Sequence, residues 1–428
     1  MDEKNSTIRC GLIGEHLTHS FSPQIHRELA DYPYGLYEIE RGKVGEFMQS
    51  TDLTAFNVTI PYKKDVIPYL TEISDEARRI GAVNTVTRLQ GGGFRGDNTD
   101  YYGFKAMVEA SGIRVKDKKV LVLGTGGASV TVHTVLSDLG VREAVSVSRS
   151  GECNYENVYS LHRDADVIVN TTPVGMFPGT GVSPISLENF PALTGVLDLI
   201  YNPARTALLL EAERLSIPAM NGLLMLVAQA KRACELFLGG VRIDDGRIPE
   251  IVKKIRLETE NLVLIGMPGC GKSTAARLLS ELTGREAIDT DEVFLSLSGG
   301  VSPADYIRRN GEKAFRALET EAVKSVGKLS GKIIATGGGV PTIGENYAPL
   351  HQNGVILWIR RDISSLPTAG RPLSEGRDLA SLYEERRPAY ERFADGYIES
   401  CISPLDTAKA ILSEFEKQIS LHIRGERI

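Results

Sequence analysis

No two of the five cysteines, Cys10, Cys153, Cys234, Cys270 and Cys401, stand in a C-x-x-C pair, and their number is odd. That excludes a disulfide framework and a structural zinc site and points to a reducing compartment. Basic runs interleaved with aromatics are also missing, and the net charge is −6, so nucleic acid is not an expected partner. Long apolar runs are absent too. Met1-Asp2-Glu3-Lys4-Asn5 has no apolar segment of a secretion signal, and the stretch near Leu223 to Ala228 is far too short to span a bilayer. No membrane partner is expected, and the cytoplasm is the default location. There is no internal repeat or low-complexity tract. An apolar content of 42% and a charged content of 24% describe a globular protein, and 428 residues require more than one core.

Against that background one stretch stands out. Leu262-Val263-Leu264-Ile265 reads as a strand, Gly266-Met267-Pro268-Gly269-Cys270-Gly271-Lys272-Ser273-Thr274 fits G-x-x-x-x-G-K-[ST], and Ala275-Ala276-Arg277-Leu278-Leu279 continues as a helix. Glycines in such a loop free backbone N–H groups to surround phosphates, the lysine reaches the β/γ-phosphates and the hydroxyl ligates Mg²⁺. A mononucleotide site therefore begins near residue 261, with Gly266, Gly269, Gly271, Lys272, Ser273 and Thr274 around the nucleotide. Cys270 is a target for alkylation or oxidation if it is exposed. Further on, Ala287-Ile288-Asp289-Thr290-Asp291 reads as a short strand with both acids on one face. Beside a P-loop, two carboxylates divide the labour, one at the metal and one accepting a hydroxyl proton.

The first hundred residues alternate short apolar runs with helix-like segments. Cys10 to Gly14 reads as a strand, Ser22-Pro23 as an N-cap with proline at the first helical position, and Phe56 to Ile60 as another strand. Taken alone, the hydroxyls of Ser20 and Ser22 read best as caps, and Lys63-Lys64 as solvated surface. Four segments, Ser20-Phe21-Ser22-Pro23, N-V-T-I-P-Y-K at 57–63, Gly81-Ala82-Val83-Asn84-Thr85 and Gly96-Asp97-Asn98-Thr99-Asp100, resemble in order and spacing the shikimate dehydrogenase family. The resemblance implies that Ser20 and Ser22 hold a substrate carboxylate, that Thr59, Asn84 and Asp100 hold ring hydroxyls, and that Lys63 is catalytic with Asp100 as its partner. The residue types suit the chemistry. Reducing a ring ketone needs a proton donor beside the carbonyl oxygen, and a carboxylate within hydrogen-bond reach orients that donor. Lys64 does not match the motif and reads as surface.

Tyr101 to Ala110 reads as a helix crossing into a second unit. There Lys118 to Leu123 is a buried parallel strand, and Gly124-Thr125-Gly126-Gly127-Ala128-Ser129 opens a helix running through Leu139. A lone glycine loop is a weak signal, and Ser129 stands where the generic fingerprint has Gly or Ala. The strand Ala144 to Val147 ends in Ser148-Arg149-Ser150; an NAD site would carry an acid there, whereas an arginine with hydroxyl neighbours suits a 2′-phosphate. NADPH/NADP is therefore the expected cofactor, with Gly124, Thr125, Gly126, Gly127, Ala128, Ser148 and Arg149 around it. The family pattern is Asn-Arg-Thr followed by a second base; here Ser148 replaces the Asn, and Gly151-Glu152-Cys153 has no base. By the same resemblance, which spans about residues 8–240, Leu199 and Gly222 meet the nicotinamide end and Tyr201 and Gln229 meet the substrate. On its own, Gln229 in an apolar helix would read as a core amide.

Leu238-Gly239-Gly240 and Asp244-Asp245-Gly246-Arg247-Ile248-Pro249 mark a turn-rich boundary, and Glu250 to Glu260 a connecting helix. The second half is similar to shikimate kinase in the P-loop, D-T-D at 289–291, Phe315-Arg316-Ala317-Leu318-Glu319, Ala335-Thr336-Gly337-Gly338-Gly339, Gly370-Arg371-Pro372-Leu373 and Arg386-Arg387-Pro388-Ala389-Tyr390. The likeness implies that Lys272 and Ser273 hold phosphates and Mg²⁺, that Asp289 assists at the metal, and that Asp291 binds and activates the substrate hydroxyl. Arg316 and Arg386 would grip the carboxylate, Gly338 would let the backbone approach the ring, and Arg371 would be the lid arginine. Phosphoryl transfer is mainly positioning and charge stabilisation, which such a set of cations supplies. The lid after Arg371 is compact, and Lys417 to Ile428 reads as a frayed tail.

The expected fold class is α/β: a substrate domain at 1–100 with a return helix near 225–240, a Rossmann-type NADP domain at 101–224, a linker at 241–260, and a P-loop kinase domain with a parallel sheet at 261–428. Both resemblances name one metabolite. The first half would reduce 3-dehydroshikimate to shikimate with NADPH, and the second would phosphorylate the 3-hydroxyl of shikimate with ATP and Mg²⁺. Two alternatives stand beside this reading: a first half acting on quinate or shikimate with NAD(P), and a chain in which one half only senses its ligand. Lys63 with Asp100 and Asp291 with Lys272 speak against the latter. The expected partners are these small molecules, with a homodimer as the assembly left open.

Overall fold

The computed structural model of the chain describes residues 8–17, 20–366, 379–401 and 403–423. Two units emerge: Met1–Pro173 with Pro184–Ile200 and Glu211–Val252, and Val174–Ser183 with Tyr201–Leu210 and Lys253–Ile428.

The first unit holds two sheets. One has six strands in the spatial order Tyr34–Glu38, Cys10–Gly14, Ala55–Val58, Thr85–Arg88, Phe94–Asp97, Glu72–Ile73. Its first three strands are parallel, and Thr85–Arg88 pairs antiparallel with both its neighbours. The strand expected over 56–60 ends earlier, at Val58. Pro61 restricts the residue before it and offers no N–H, so Thr59 and Ile60 leave the ladder. The helix Ser22–Leu29 also differs from expectation: Phe21 is its N-cap, without a side-chain capping bond, and Ser22 is already helical. The turn is closed one step earlier, by the Ser22 N–H donating to Ser20 Oγ at 3.2 Å.

The other sheet is parallel throughout, ordered Ala219–Asn221, Gly195–Asp198, Val167–Asn170, Lys119–Leu123, Glu143–Val147. Val120, Leu121, Val122 and Leu123 are fully buried, as a strand covered on both faces requires. The strand order reverses beside Lys119–Leu123, and the crevice beyond the carboxyl ends at such a point is where doubly wound sheets bind ligands. The helix Leu223–Phe237 packs on helices Ser22–Leu29 and Asp100–Ser111 and on strands Ala55–Val58 and Thr85–Arg88. Gly103 permits the closest approach: a Cβ there would lie 2.6 Å from the Met225 carbonyl oxygen.

The second unit is built on a parallel sheet ordered Ala287–Asp289, Ile333–Ala335, Asn261–Ile265, Gly354–Arg360, Gly396–Glu399. Leu262, Val263, Leu264 and Ile265 are buried in its centre, each such side chain contributing about 1.5–3 kcal/mol. Two expectations are corrected here. The strand expected over 287–291 stops at Asp289, which caps the helix Thr290–Leu297, so Asp291 lies in the first helical turn. The tail expected to fray from Lys417 is helical to Ile423 within Pro404–Ile423. Ala408, Ile411, Phe415 and Ile419 form a buried stripe at helical spacing, and this fixes the helix past residue 417. Among the described residues no helix is long and apolar enough to cross a membrane. All five cysteines are free, and Cys270 is 2% exposed, so the condition for its modification is not met.

Candidate active sites

In the first unit, Lys63 follows the strand Ala55–Val58 and Asp100 opens the helix Asp100–Ser111. An acid in the first turn is favoured by the helix dipole. The Lys63 ammonium donates to Asp100 Oδ2 at 2.6 Å, with Lys63 30% and Asp100 18% exposed at the side chain. Asn84 is buried; its Oδ1 accepts from the Thr99 N–H at 2.7 Å and from the Thr85 and Thr99 hydroxyls at 3.1 and 3.2 Å. Gln229 accepts at Oε1 from Thr99 Oγ1 at 3.3 Å and donates to the Leu226 carbonyl at 2.9 Å. Lys63 pairs with Asp100, and Asn84 meets Gln229 through Thr99, next in sequence to Asp100. Ser20 and Ser22 flank their turn, Thr59 N–H donates to Ile13 O at 2.9 Å, and Lys64 is exposed as expected. Tyr201 belongs to the second unit; burial raises its phenol pKa.

At the parallel sheet, Gly124 follows the strand at φ 99°, a left-handed conformation suited to glycine. Gly126 caps the helix Gly127–Asp138, and a Cβ at Gly126 or Gly127 would meet nothing within 4 Å. Thr125 and Ala128 share this open face, whereas Ser129 is buried. Open glycines before free helical N–H groups fit a pyrophosphate. Arg149 is exposed after the strand Glu143–Val147, beside Tyr155, whose phenol burial raises and Arg149 lowers. The Leu199 N–H donates to Asn170 O at 3.0 Å, and any Cβ on Gly222 would collide with the Leu199 backbone. These residues fit an NADP-type dinucleotide.

In the second unit, Gly266, Gly269 and Gly271 take φ of 145°, 84° and 101°, so the loop curls as a phosphate cradle. Lys272 opens the helix Lys272–Thr283, and its buried ammonium donates to Gly266 O and Met267 O, each at 3.0 Å. Ser273 Oγ donates to Asp289 Oδ2 at 2.7 Å, and Thr274 is exposed beside it. A hydroxyl and a carboxylate are hard oxygen donors that fit Mg²⁺ shared with phosphates. Among the described residues no group of three or more His, Cys, Asp or Glu could hold a metal ion. Asp289 Oδ1 accepts from the Asp291 N–H at 3.0 Å. The Asp291 carboxyl is raised above the usual carboxylate range by desolvation and by Asp289, with Lys272 opposing.

The turn after Ile333–Ala335 completes this site. A Cβ at Gly337 would lie 2.9 Å from Asp291 Oδ1 and 3.1 Å from Glu319 Oε1; one at Gly338 would lie 2.7 Å from the Pro268 ring. Arg316 donates to Glu319 at 2.7 Å, and its guanidinium lies directly against Gly339. Buried Arg386 donates to the Gly338 carbonyl at 3.3 Å. Asp291, Arg316, Gly338 and Arg386 thus converge beside the P-loop. Arg371 lies outside the described residues.

Sequence reading gave no role to Glu319, Tyr390 or Asn57. Glu319 is buried, its carboxyl raised by desolvation and lowered by Arg316; its i+3 spacing from Arg316 was the available signal. The Tyr390 hydroxyl donates to the Gly338 carbonyl at 2.7 Å. Asn57, in a strand buried at every position, had to find partners, and that demand was itself a signal.

Fold and sites define the class: a pyridine-nucleotide oxidoreductase body in the first unit and a P-loop phosphotransferase body in the second. Residues 12–86 match the model of the shikimate dehydrogenase substrate binding domain, and residues 268–417 match that of shikimate kinase. A shikimate dehydrogenase (NADP(+)) of Clostridium beijerinckii is 38% identical over 247 residues, covering 53% of this chain and 90% of the relative. The structure of a chorismate mutase/shikimate 5-dehydrogenase fusion protein from Clostridium acetobutylicum is 36% identical with TM-score 0.55, covering 58% of this chain and 97% of that one. Quinate dehydrogenase from Corynebacterium glutamicum in complex with NAD is 27% identical with TM-score 0.53, covering 57% and 98%. The chain belongs to the shikimate dehydrogenase family, and it carries a shikimate kinase domain after the dehydrogenase part.

Proposed function

We propose that this bifunctional shikimate-pathway enzyme reduces 3-dehydroshikimate to shikimate in its first unit and phosphorylates the 3-hydroxyl of shikimate in its second. The observation that carries this reading is that one chain matches two families named for the same metabolite. NADPH when bound supplies the hydride, and ATP with Mg²⁺ supplies the phosphoryl group. Lys63 then gives a proton to the carbonyl oxygen as that oxygen gains charge, while Asp100 holds the ammonium in place. Ser20 and Ser22 bind the substrate carboxylate, and Thr59, Asn84, Asp100 and Gln229 orient the ring. Leu199 and Gly222 shape the nicotinamide end.

In the second unit Asp291, its basicity raised, takes the proton of the attacking hydroxyl. Lys272 would neutralise charge on the phosphates, Ser273 and Asp289 would hold Mg²⁺, and Arg316 and Arg386 would bind the substrate carboxylate. The site at Ser148-Arg149 selects the 2′-phosphate, since Ser148 and Arg149 rather than an acid directly follow Val147. The enzyme works in the cytoplasm, and a homodimer is the assembly to test by light scattering. A paired assay decides the function: NADPH oxidation with 3-dehydroshikimate, and ADP release with shikimate, with quinate and NAD as comparison substrates. Both activities are expected, and absence of either withdraws the reading for that half.

A further inference from the structure

We propose that Tyr34 is a positioning residue for the substrate face of the first unit, acting through Asn57 on Asn84 and Thr85; this rests on reading that face as the dehydrogenase substrate site. Tyr34 begins the edge strand Tyr34–Glu38, and its hydroxyl donates to Asn57 Oδ1 at 2.7 Å. The other end of the Asn57 amide donates to Asn84 O at 3.3 Å and to Thr85 Oγ1 at 3.2 Å. Thr85 Oγ1 donates in turn to Asn84 Oδ1 at 3.1 Å, and that oxygen is the one the Thr99 N–H also holds, at 2.7 Å. Thr99 Oγ1 then reaches Gln229 Oε1 at 3.3 Å. One phenol therefore stands at the outer end of a chain of hydrogen bonds whose inner end consists of Asn84 and Gln229.

The direction of that chain is fixed by its donors and acceptors. A flipped Asn57 amide would set its oxygen against the Asn84 carbonyl oxygen, two acceptors face to face, so Oδ1 must point toward Tyr34. Tyr34 supplies the donor that this buried oxygen needs. The phenol is itself held: His26 stacks on the Tyr34 ring at 4.0 Å between centroids and 14° between planes, and on Phe237 at 5.6 Å and 14°. Tyr34 is thus tied through Asn57 to the hydroxyl end of the expected substrate, at Asn84.

Tyr34→Phe in the full chain tests this, since it keeps the ring stack and removes one hydroxyl. The expected result is a KM for 3-dehydroshikimate about tenfold higher, with kcat within about twofold and kinase kinetics unchanged. Because Tyr34 acts through Asn84, adding Tyr34→Phe to Asn84→Ala raises KM little further, whereas a merely structural role gives additive losses. If thermal melting shows Tyr34→Phe unfolded at the assay temperature, Asn57→Leu cuts the same chain at its next link and must give the same KM signature. An unchanged KM in a folded Tyr34→Phe, or additivity with Asn84→Ala, overturns the proposal. Failure of the unmodified chain to reduce 3-dehydroshikimate is a different result: it removes the reading of the site, and this proposal with it.

Discussion

Lys63 and Asp100, 37 residues apart, meet at 2.6 Å where the first sheet gives way to the helix Asp100–Ser111. A turn five residues past the strand end supplies the ammonium and a helix start the carboxylate. Lys63→Ala is expected to lower kcat for reduction about 10²–10⁴-fold. ADP release with shikimate stays at the parental rate, and a parallel fall in the kinase rate would show that the substitution unfolds more than its own site.

Asp291 gives the kinase its own pH signature. Its carboxyl is raised by desolvation and by Asp289, so it becomes a competent base only above the ordinary carboxylate range. The acid limb of kcat/KM for shikimate should therefore lie above the range of an ordinary aspartate, and Asp291→Asn should abolish it with the rate. A profile that falls only within that ordinary range contradicts the assignment.

Gly338 faces the Pro268 ring with no room for a methyl group, since a Cβ would lie 2.7 Å from it. Gly338→Ala must therefore push the turn or the P-loop aside. We expect a loss of about 10²-fold in kinase kcat, the scale of a misplaced reacting group, with the dehydrogenase unaffected.

His26 couples stability of the first unit to pH. Burial is the main cause that lowers its pKa from 6.5 to about 3. A depressed histidine pKa means that the unfolded chain binds a proton the folded chain refuses. Stability is then full above pH 6.5 and is lost as pH falls from 6.5 toward about 3, by up to about 1.4 kcal/mol per unit. Denaturant titrations between pH 7 and 5 should show this slope in the first-unit transition, and His26→Phe should flatten it.

Within the second unit, Arg205 is buried against Glu260, 3.7 Å away, and donates to the carbonyls of His351 at 3.1 Å and Gly354 at 3.4 Å. Burial would raise the Glu260 carboxyl, but Arg256 and Arg205 hold it below its usual value. Removing one partner leaves a buried charge less compensated. Arg205→Ala should destabilise the second unit by about 3–5 kcal/mol, read as an earlier transition in urea followed by ATP binding.

The dominant local signals in the sequence carried most of this fold. Buried strands before glycine loops, at Val120–Leu123 and Leu262–Ile265, announce themselves by composition alone. Asp291 was misplaced because an i, i+2 pair looks alike on a strand and at a helix start, yet Asp289 with Glu292 three residues on is a capping-box pattern that favours the helix. The C-terminal helix was cut short by the polar Lys417-Gln418, although Ile411, Phe415 and Ile419 already spelled out its buried stripe. The hydrogen bonds of Asn57 to Tyr34, Asn84 and Thr85, and of Gln229 to Thr99 across 130 residues, join positions that no local pattern links. Arg205 and Glu260 meet for reasons of tertiary packing alone.

The helix Leu223–Phe237 brings Gln229 back to a sheet whose strands all lie within Cys10–Asp97. In a growing polypeptide, the first sheet is complete long before the residue that closes its site exists. A nascent chain that ends at Asp100 has no Gln229, and the apolar face that meets Ala233 and Phe237 has nothing yet to cover it. Translation order thus gives this lobe a waiting period more than a hundred residues long, during which a chaperone has an obvious surface to grasp.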